Sequence, residues 1–597
     1  MGTPPITDAE LNRTLRLMAE HNNDRMVVAT HLGIAYASVA SRLKEAQRRG
    51  LIVEIPQLAE LAGLRAVKDE DYQACVDAYQ LHGQFRSAAK SLGLHESTFK
   101  QRVNKAWDAG YVARMGGRVD ARKATVRALP EKGTIKRYVL TCAQSETLLH
   151  EPTWNTLKTV AKHYDAELLV ATYSYKHRQE GSAKRDSAKG SKAREDWYDD
   201  RALEHVADEM IQLAPSLIWN GHVNILPTAV DPLSGVDNYN GRASSIFPHA
   251  KLAMKSIPTV RRDPAKLQYT TGTATLRNYL QKKAGQKAEF DHVYGGLLVE
   301  VDATGSWWVR QLISDAQGVC YDLDLKFLPT GSVERNDSVE AVVWGDIHVA
   351  QLENDQKEVC WGENGIMQAL KPKRQYMHDI IDFESRSHHN RKDPFKAFEL
   401  HVKKRESVSD EVFDVWKFLV ENAGTCQTYV VQSNHDRHLE RWLKEADWRT
   451  DPVNAEFYTA CTAAYLKAVR AGESFNALEW AVTRLGKLPK VKWLDADESH
   501  VICKDASGGV EMGLHGDLGP NGARGSIRNL ARLGRKVCIG HSHSAGIFNG
   551  AWQTGVTAKL GMDYAKGAPS SWSHSHILVH ANGKRQMVTV FNGKWRA

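Results

Sequence analysis

The stretch Val339-Glu-Ala-Val-Val-Trp-Gly-Asp346-Ile-His348 decides how this chain reads. Its apolar half is short and rich in valine, which predicts a buried strand. Asp346 and His348, two residues apart at the strand's end, can point their side chains at one centre. Downstream the same arrangement returns. His378-Asp379-Ile-Ile-Asp382 supplies two more carboxylates. Thr428-Tyr-Val-Val-Gln predicts a strand that ends in Ser433-Asn434-His435-Asp436-Arg437. Val510-Glu-Met-Gly-Leu predicts another, ending at His515-Gly516-Asp517, and Lys536-Val-Cys-Ile a further one, ending at Gly540-His541-Ser542-His543. The C-terminal edge of a layered α/β sheet is where sites form. Carboxylates, imidazoles and one amide oxygen suit Mn²⁺, Fe, Zn²⁺ or Mg²⁺ rather than a soft metal. A carboxylate between two sets of imidazoles can bridge two ions about 3.5–4 Å apart; such a pair neutralises phosphate charge, orients an ester and lowers the pKa of a bound water.

The order Asp-x-His, Asp, Asn-His-Asp, His, Gly-His-x-His resembles the calcineurin-like metallophosphoesterases, which include the Mre-type nucleases. The resemblance covers about residues 338–597. It implies a four-layer α/β/β/α domain at 336–597. In the family pattern Asp346, His348 and His543 hold one ion, Asn434, His515 and His541 hold the other, and Asp379 bridges both. Asp382 stands close enough in sequence to compete for the bridging place. His435 matches the family's general acid or transition-state stabiliser, with Asp436 orienting it. Two positions depart from the pattern: His378 and Ser433 stand where the family has glycine. The resemblance implies two divalent ions, with Mn²⁺ the first choice and Mg²⁺, Fe or Zn²⁺ as alternatives.

Other residues attract attention. His388, His389, His574 and His576 read as supporting or surface groups rather than ligands. Arg437, Arg524 and Arg528 follow ligand-bearing strands, where a guanidinium can clamp phosphate through two parallel hydrogen bonds.

The N-terminal region repeats itself with a spacing of 60 residues: Ala29, Leu32, Gly33, Arg42, Ala46 and Gly50 recur as Ala89, Leu92, Gly93, Arg102, Ala106 and Gly110. An alanine where helices cross, then a glycine for the turn, then apolar residues at spacings of four and three make a helix-turn-helix pattern. Ser38 and Ser97 are expected to cap the second helix of each copy. Arg42, Lys44, Lys100, Arg102 and Lys105 lie along these helices and are the candidate DNA contacts. The segments after Gly50 and Gly110 are expected to be short strands, as in winged variants. A helical protein-interaction module would use the same core. The two units are expected at 1–60 and 61–125, and residues 1–123 carry 18 Lys and Arg against 14 Asp and Glu.

Residues 126–335 read as a middle α/β domain. Lys136–Cys142, Trp154–Tyr164 and Glu167–Ser174 give a strand-helix-strand rhythm. Lys176–Arg201 reads as an exposed, charged loop. Strands are expected at 294–301, 306–313 and 319–328.

At 597 residues the chain is too long for one core, and 42% hydrophobic with 25% charged residues is ordinary for a globular protein. No run of 18 apolar residues and no leader peptide is evident, so a cytoplasmic address is expected, in the host if the protein is a phage's. The eight cysteines form no CxxC pair and read as free core thiols. The net charge of +8 is compatible with a polyanionic partner.

Together these readings predict a metal-dependent hydrolase of phosphodiesters acting on DNA, duplex DNA in particular, with no membrane partner and with self-association left open. The layout also resembles DNases of tailed phages that degrade host DNA. Two rivals stay open: a phosphatase or small-molecule phosphodiesterase of the same superfamily, and a DNA-binding regulator with an inactive phosphoesterase domain.

Overall fold

The computed structural model describes residues 6–21, 24–52, 67–82, 85–111, 124–175, 197–260, 263–336, 338–506 and 508–597. The chain is multidomain and mixes helices with large mixed sheets. It divides into two compact units, Met1–Arg122 and Lys123–Ala597.

The first unit is helical. Helices α1 (Asp8–Glu20), α2 (Arg25–Leu32) and α3 (Tyr36–Arg48) form one triplet, and α4 (Asp69–His82), α5 (Phe85–Ser91) and α6 (Glu96–Asp108) the other. Met18, Val28, Ala29, Val39 and Leu43 make the first core. Cys75, Ala78, Ala88, Ala89, Phe99 and Val103 make the second. Gly33 and Gly93 take φ of 62° and 65° in the turns, a region that other residues enter at a cost. Two expectations are corrected here. Ser38 and Ser97 lie inside their helices, after the cap residues Ala35 and His95. Gly50 and Gly110 do not begin strands. They end α3 and α6 with positive φ, and the next amides, of Leu51 and Tyr111, reach back to Ala46 and Ala106. That pattern caps a helix C-terminus and satisfies its last carbonyls. Val53 and residues 112–113 fall outside the described residues, as does 176–196 of the expected loop.

In the second unit, a six-stranded sheet runs in the order Val491–Leu494, Gln427–Val431, Arg374–His378, Ala341–Val343, Ser575–Val579, Arg585–Thr589. Its first four strands are parallel and the last two antiparallel. One face is covered by helices, Val408–Asn422 and Ala477–Thr483 among them, through Val412, Val415, Leu478 and Val482. From its other face Tyr376, Val431 and Ile577 pack into a core shared with Val510, Cys538 and Trp552 of an eleven-stranded sheet.

That large sheet crosses the expected division at residues 335 and 336. Its strands Met210–Ala214 to Lys266–Thr270 come from the middle region and Val501–Ile502 to Ala551–Gln553 from the C-terminal region. The join is the antiparallel pairing of Gly546–Phe548 with Ala253–Lys255. The strand-helix-strand rhythm is present as Ile135–Gln144, Glu151–His163 and Glu167–Tyr173, with the strands parallel. The expected strand at 319–328 is instead a tight hairpin, Cys320–Asp322 and Leu325–Phe327, turning at Leu323 with φ of 53°. Asp322 is drawn inward there by buried Arg310, whose Nε and Nη2 donate to it at 2.7 and 2.9 Å.

Among the described residues no single helix is long and apolar enough to cross a membrane. The eight cysteines are unpaired, and all but Cys503 are buried.

Candidate metal centre

Asp346 follows the strand Ala341–Val343, Asp379 follows Arg374–His378, and Asn434 follows Gln427–Val431. These three neighbouring strands are parallel, so their C-terminal ends lie together. His541 and His543 follow Lys536–Ile539 of the facing sheet. The strand before His515 is shorter than expected, Val510–Glu511. Glu511 Oε1 accepts the N–H groups of Met512 and Gly513, and the Met512 N–H also reaches the backbone oxygen of His500 at 2.9 Å.

The side chains converge. Ligand atoms of Asp346, His348, Asp379 and His543 lie within 4.8 Å of one another, and all four residues are buried. Nε2 of His348 and Nε2 of His543 are 3.1 Å apart. Asn434 Oδ1 stands 3.0 Å from His515 Nε2 and 3.0 Å from His541 Nδ1. Asp379 Oδ2 is 3.2 Å from His515 Nε2 and 3.8 Å from His348 Nε2, so it lies between the two groups. Both carboxylate oxygens of Asp346 are buried without a well-aligned hydrogen-bond donor, with His543 Nε2 at 3.3 Å. Buried carboxylate oxygens left in that state fit a divalent cation.

The backbone is strained at the same place. His348, Asp379, His541 and His543 have φ of 44°, 43°, 76° and 59°. Non-glycine residues enter that region at a cost, and such residues cluster where surrounding structure over-determines them. Gly540 has no room for a side chain, since a Cβ there would collide with Oδ1 of Asp346.

Electrostatics tie the set together. Burial would raise the Asp379 carboxyl, but the imidazoles of His515 and His435 hold it well below the usual range. Burial opposes charge on His515 too, yet Asp379 and Asp346 raise it to about 9. Burial and the nearby His515 push His378 down to about 4.

Asp382 stands on the far side of the His348 ring from Asp379, and with His348 and His435 it forms another group whose ligand atoms lie within 4.8 Å of one another. Its Oδ1 meets His348 Nδ1 at 3.1 Å, and its Oδ2 accepts from Gln351 Nε2 at 3.1 Å. It therefore fixes the His348 ring from behind, as carboxylates commonly do for a ligating imidazole. His435 lies at the rim, with Nδ1 2.9 Å from the backbone oxygen of Asp382. The expected orienting role of Asp436 is corrected. Its carboxylate accepts the N–H groups of Ser433 and Ile381, so it braces the loop.

A cavity of about 590 Å³ opens over the site, with Asn434, His541, His543, His435, Arg524 and Trp572 in its wall. Of the three arginines expected to clamp phosphate, Arg524 alone lines it. Arg437 is paired with Asp517, and Arg528 with Asp231, where it also stacks over Phe548. His574 and His576 are not among the converging ligands: His574 Nδ1 meets Val556 O at 3.1 Å, and His576 Nδ1 accepts the Gly345 N–H at 3.0 Å. Trp572, whose ring stands 4.4 Å from that of His543, carried no sequence signal.

In the helical unit, Lys44, Lys100 and Lys105 are exposed. Arg42 and Arg102 are half-buried and turn to the first helix of their own triplet, toward Thr14 and Cys75. Their recurrence is thus explained by packing within each triplet.

The chain is 36% identical over 478 residues to "Protein A1" of Escherichia phage T5, an alignment covering 77% of this chain and 83% of that protein. The chain belongs to the family of that phage protein. No protein-family model matches it. The alignment is long enough to take in most of the second unit, so this family relation extends beyond the helical repeats.

Proposed function

We propose that the chain is a two-metal nuclease that hydrolyses phosphodiester bonds of DNA, on a fold of the metallophosphoesterase type. The supporting observation is the convergence of Asp346, His348, Asp379, Asn434, His515, His541 and His543 from two facing sheets under one cavity. Helices on one face of the six-stranded sheet and a second sheet packed on its other face support that reading. Asp346, His348 and His543 would hold one divalent ion, and Asn434, His515 and His541 the other, with Asp379 shared. Bound there, the ions supply Lewis acidity and an activated water for attack on phosphorus.

The chain's own residues do the rest. Asp382 keeps Nε2 of His348 aimed inward. His435, held through Nδ1, presents Nε2 as the group that passes a proton to the leaving oxygen. Arg524 gives the cavity wall a positive charge for a phosphate. The helical unit offers exposed lysines to the backbone of duplex DNA, and Mn²⁺ is the favoured ion. The kinship with a phage protein supports action in a host cell.

The test is purified protein with Mn²⁺, offered linear duplex, circular duplex and single-stranded DNA beside small phosphodiesters and phosphomonoesters. Cleavage of DNA that EDTA abolishes is expected. Turnover of monoesters alone would replace the nuclease by a phosphatase, and no turnover with both ions bound would leave a DNA-binding regulator.

A further inference from the structure

Outside the converging set stands a second group of imidazoles. The turn that holds His388 and His389 faces the first turn of the helix His438–Glu445. One ring nitrogen from each of His388, His389 and His438 lies within 4.8 Å of the other two. Ring centroids of His388 are 3.8 Å from His389 and 4.6 Å from His438, and the His388 and His438 rings meet at 72°. Nδ1 of His388 and Nδ1 of His438 are buried and have no hydrogen-bond partner. His438 meets the other two rings edge to face, at 72° and 80°, and the two buried Nδ1 atoms of His388 and His438 lack the partner that a buried polar atom ordinarily finds.

We infer that His388, His389 and His438 form a separate binding site for a late first-row divalent ion, Zn²⁺ or its neighbours Co²⁺ and Ni²⁺. The donors are all imidazole, which favours these ions over Mn²⁺ and Mg²⁺. Tetrahedral ligands on Zn–N bonds of about 2.1 Å stand about 3.4 Å apart, so small ring rotations bring the three together. Three ligands leave the fourth position to water or another group. Glu445 lies nearby and is shared between Arg441 at 2.8 Å and Arg391 at 3.5 Å, so both guanidiniums are turned to a carboxylate. An ion here ties the turn Ser387–Asn390 to the helix. It also sits one ring from His435, whose centroid is 4.6 Å from that of His438. The site is independent of the reading given to the larger centre, since it shares no ligand with it.

The experiment uses the full chain and zinc itself. Zinc bound per chain is measured by equilibrium dialysis and elemental analysis for the wild type, His389→Ala, His438→Ala and Asp379→Ala. His389 is exposed, so its replacement leaves folding intact. Both histidine variants are expected to lose one zinc equivalent, or to weaken it by more than the roughly 10–100-fold typical of losing a supporting partner, while their Mn²⁺ content stays that of the wild type. Asp379→Ala is expected to lose ions of the larger centre and keep this one. Hydrogen exchange of Ser387–Asn390 should slow with Zn²⁺ in the wild type and not in His389→Ala. Equal zinc content and affinity in the wild type and His389→Ala would overturn the site. Loss of Mn²⁺ in His389→Ala would overturn it as well, by showing that the cluster serves the larger centre.

Discussion

The backbone N–H of Asp379 donates to Oγ of Ser433 across 2.8 Å. The loop that ends one central strand is thereby held by the loop that ends its neighbour. Ser433 in turn donates to the backbone oxygen of Val431 at 2.8 Å, so its hydroxyl is fully used. This is what the residue does at a position where the resembling family has glycine. It fixes the carboxylate that stands between His348 and His515, and it does so where Asp379 carries a strained φ of 43°.

Ser433→Ala therefore leaves a buried N–H without its acceptor, which costs about 1–3 kcal/mol. The variant should melt earlier and bind Mn²⁺ about 10–100-fold more weakly. Thermal melting with and without Mn²⁺, together with a Mn²⁺ titration, checks both. Unchanged metal affinity would show that Asp379 keeps its place without Ser433.

His435 and Asp382 separate chemistry from binding. His435→Ala should keep its metal and lose about 10²–10⁴-fold in turnover. Asp382→Ala should lower metal occupancy, because the His348 ring loses the carboxylate behind it. Elemental analysis beside a hydrolysis assay reads both. If the two variants lose metal alike, His435 is a ligand and not a proton donor.

Glu411 makes stability depend on pH. Its oxygens accept the N–H groups of Glu384 and Ser385 at 2.9 and 3.1 Å, bracing the segment after Asp382. Burial, then the charge of Asp382, raises the carboxyl to about 7 from an ordinary 4.5. A raised folded pKa means the protonated form is favoured by folding. Its contribution is full below about pH 4.5 and is lost as the pH rises through about 7, on the order of 3 kcal/mol in all. The wild type should therefore lose stability relative to Glu411→Gln across that window, by thermal or denaturant melting at several pH values. A gap that stays constant from pH 4 to 8 would contradict the shift.

The compact unit Lys123–Ala597 contains every proposed ligand. Expressed alone, it should hydrolyse a small phosphodiester at the full-length rate. Its binding to duplex DNA should be weaker, with a shallower dependence on salt, since every phosphate that the lysines no longer neutralise takes about 0.9 off the slope of log K against log salt. Binding titrations at several salt concentrations, on protein shown to be folded, make the comparison. Equal affinity and equal slope would assign the helical repeats to protein contacts and leave DNA to the cavity and Arg524.

Local chemistry was legible in the chain. The strands before Asp346, Asn434 and His541 announce themselves as short apolar runs, whereas the one before Asp379, Arg374-Gln-Tyr-Met-His378, carries no such signal; two copies of an alanine-glycine-apolar spacing announce two helical triplets. Both signals are short-range, written in residues that pack within one element or one turn. Helix ends were less legible: Gly50 and Gly110 signal a stop, and the pattern alone does not separate a capped C-terminus from a strand start.

What the tertiary structure alone decided is which groups face which. Asp379 and Asp382 are equivalent in sequence, three residues apart on one loop. The fold turns Asp379 between His348 and His515 and sends Asp382 behind His348. Arg437, Arg524 and Arg528 look alike in the chain, yet Asp517 and Asp231, brought from elsewhere, occupy two of them. The same holds for His388, His389 and His438, which no spacing links and which meet across a turn and a helix. Sequence determines the kind of donor and the element that carries it, because those depend on neighbours along the chain. Partner and direction depend on contacts between distant segments, which exist only once the sheets have packed.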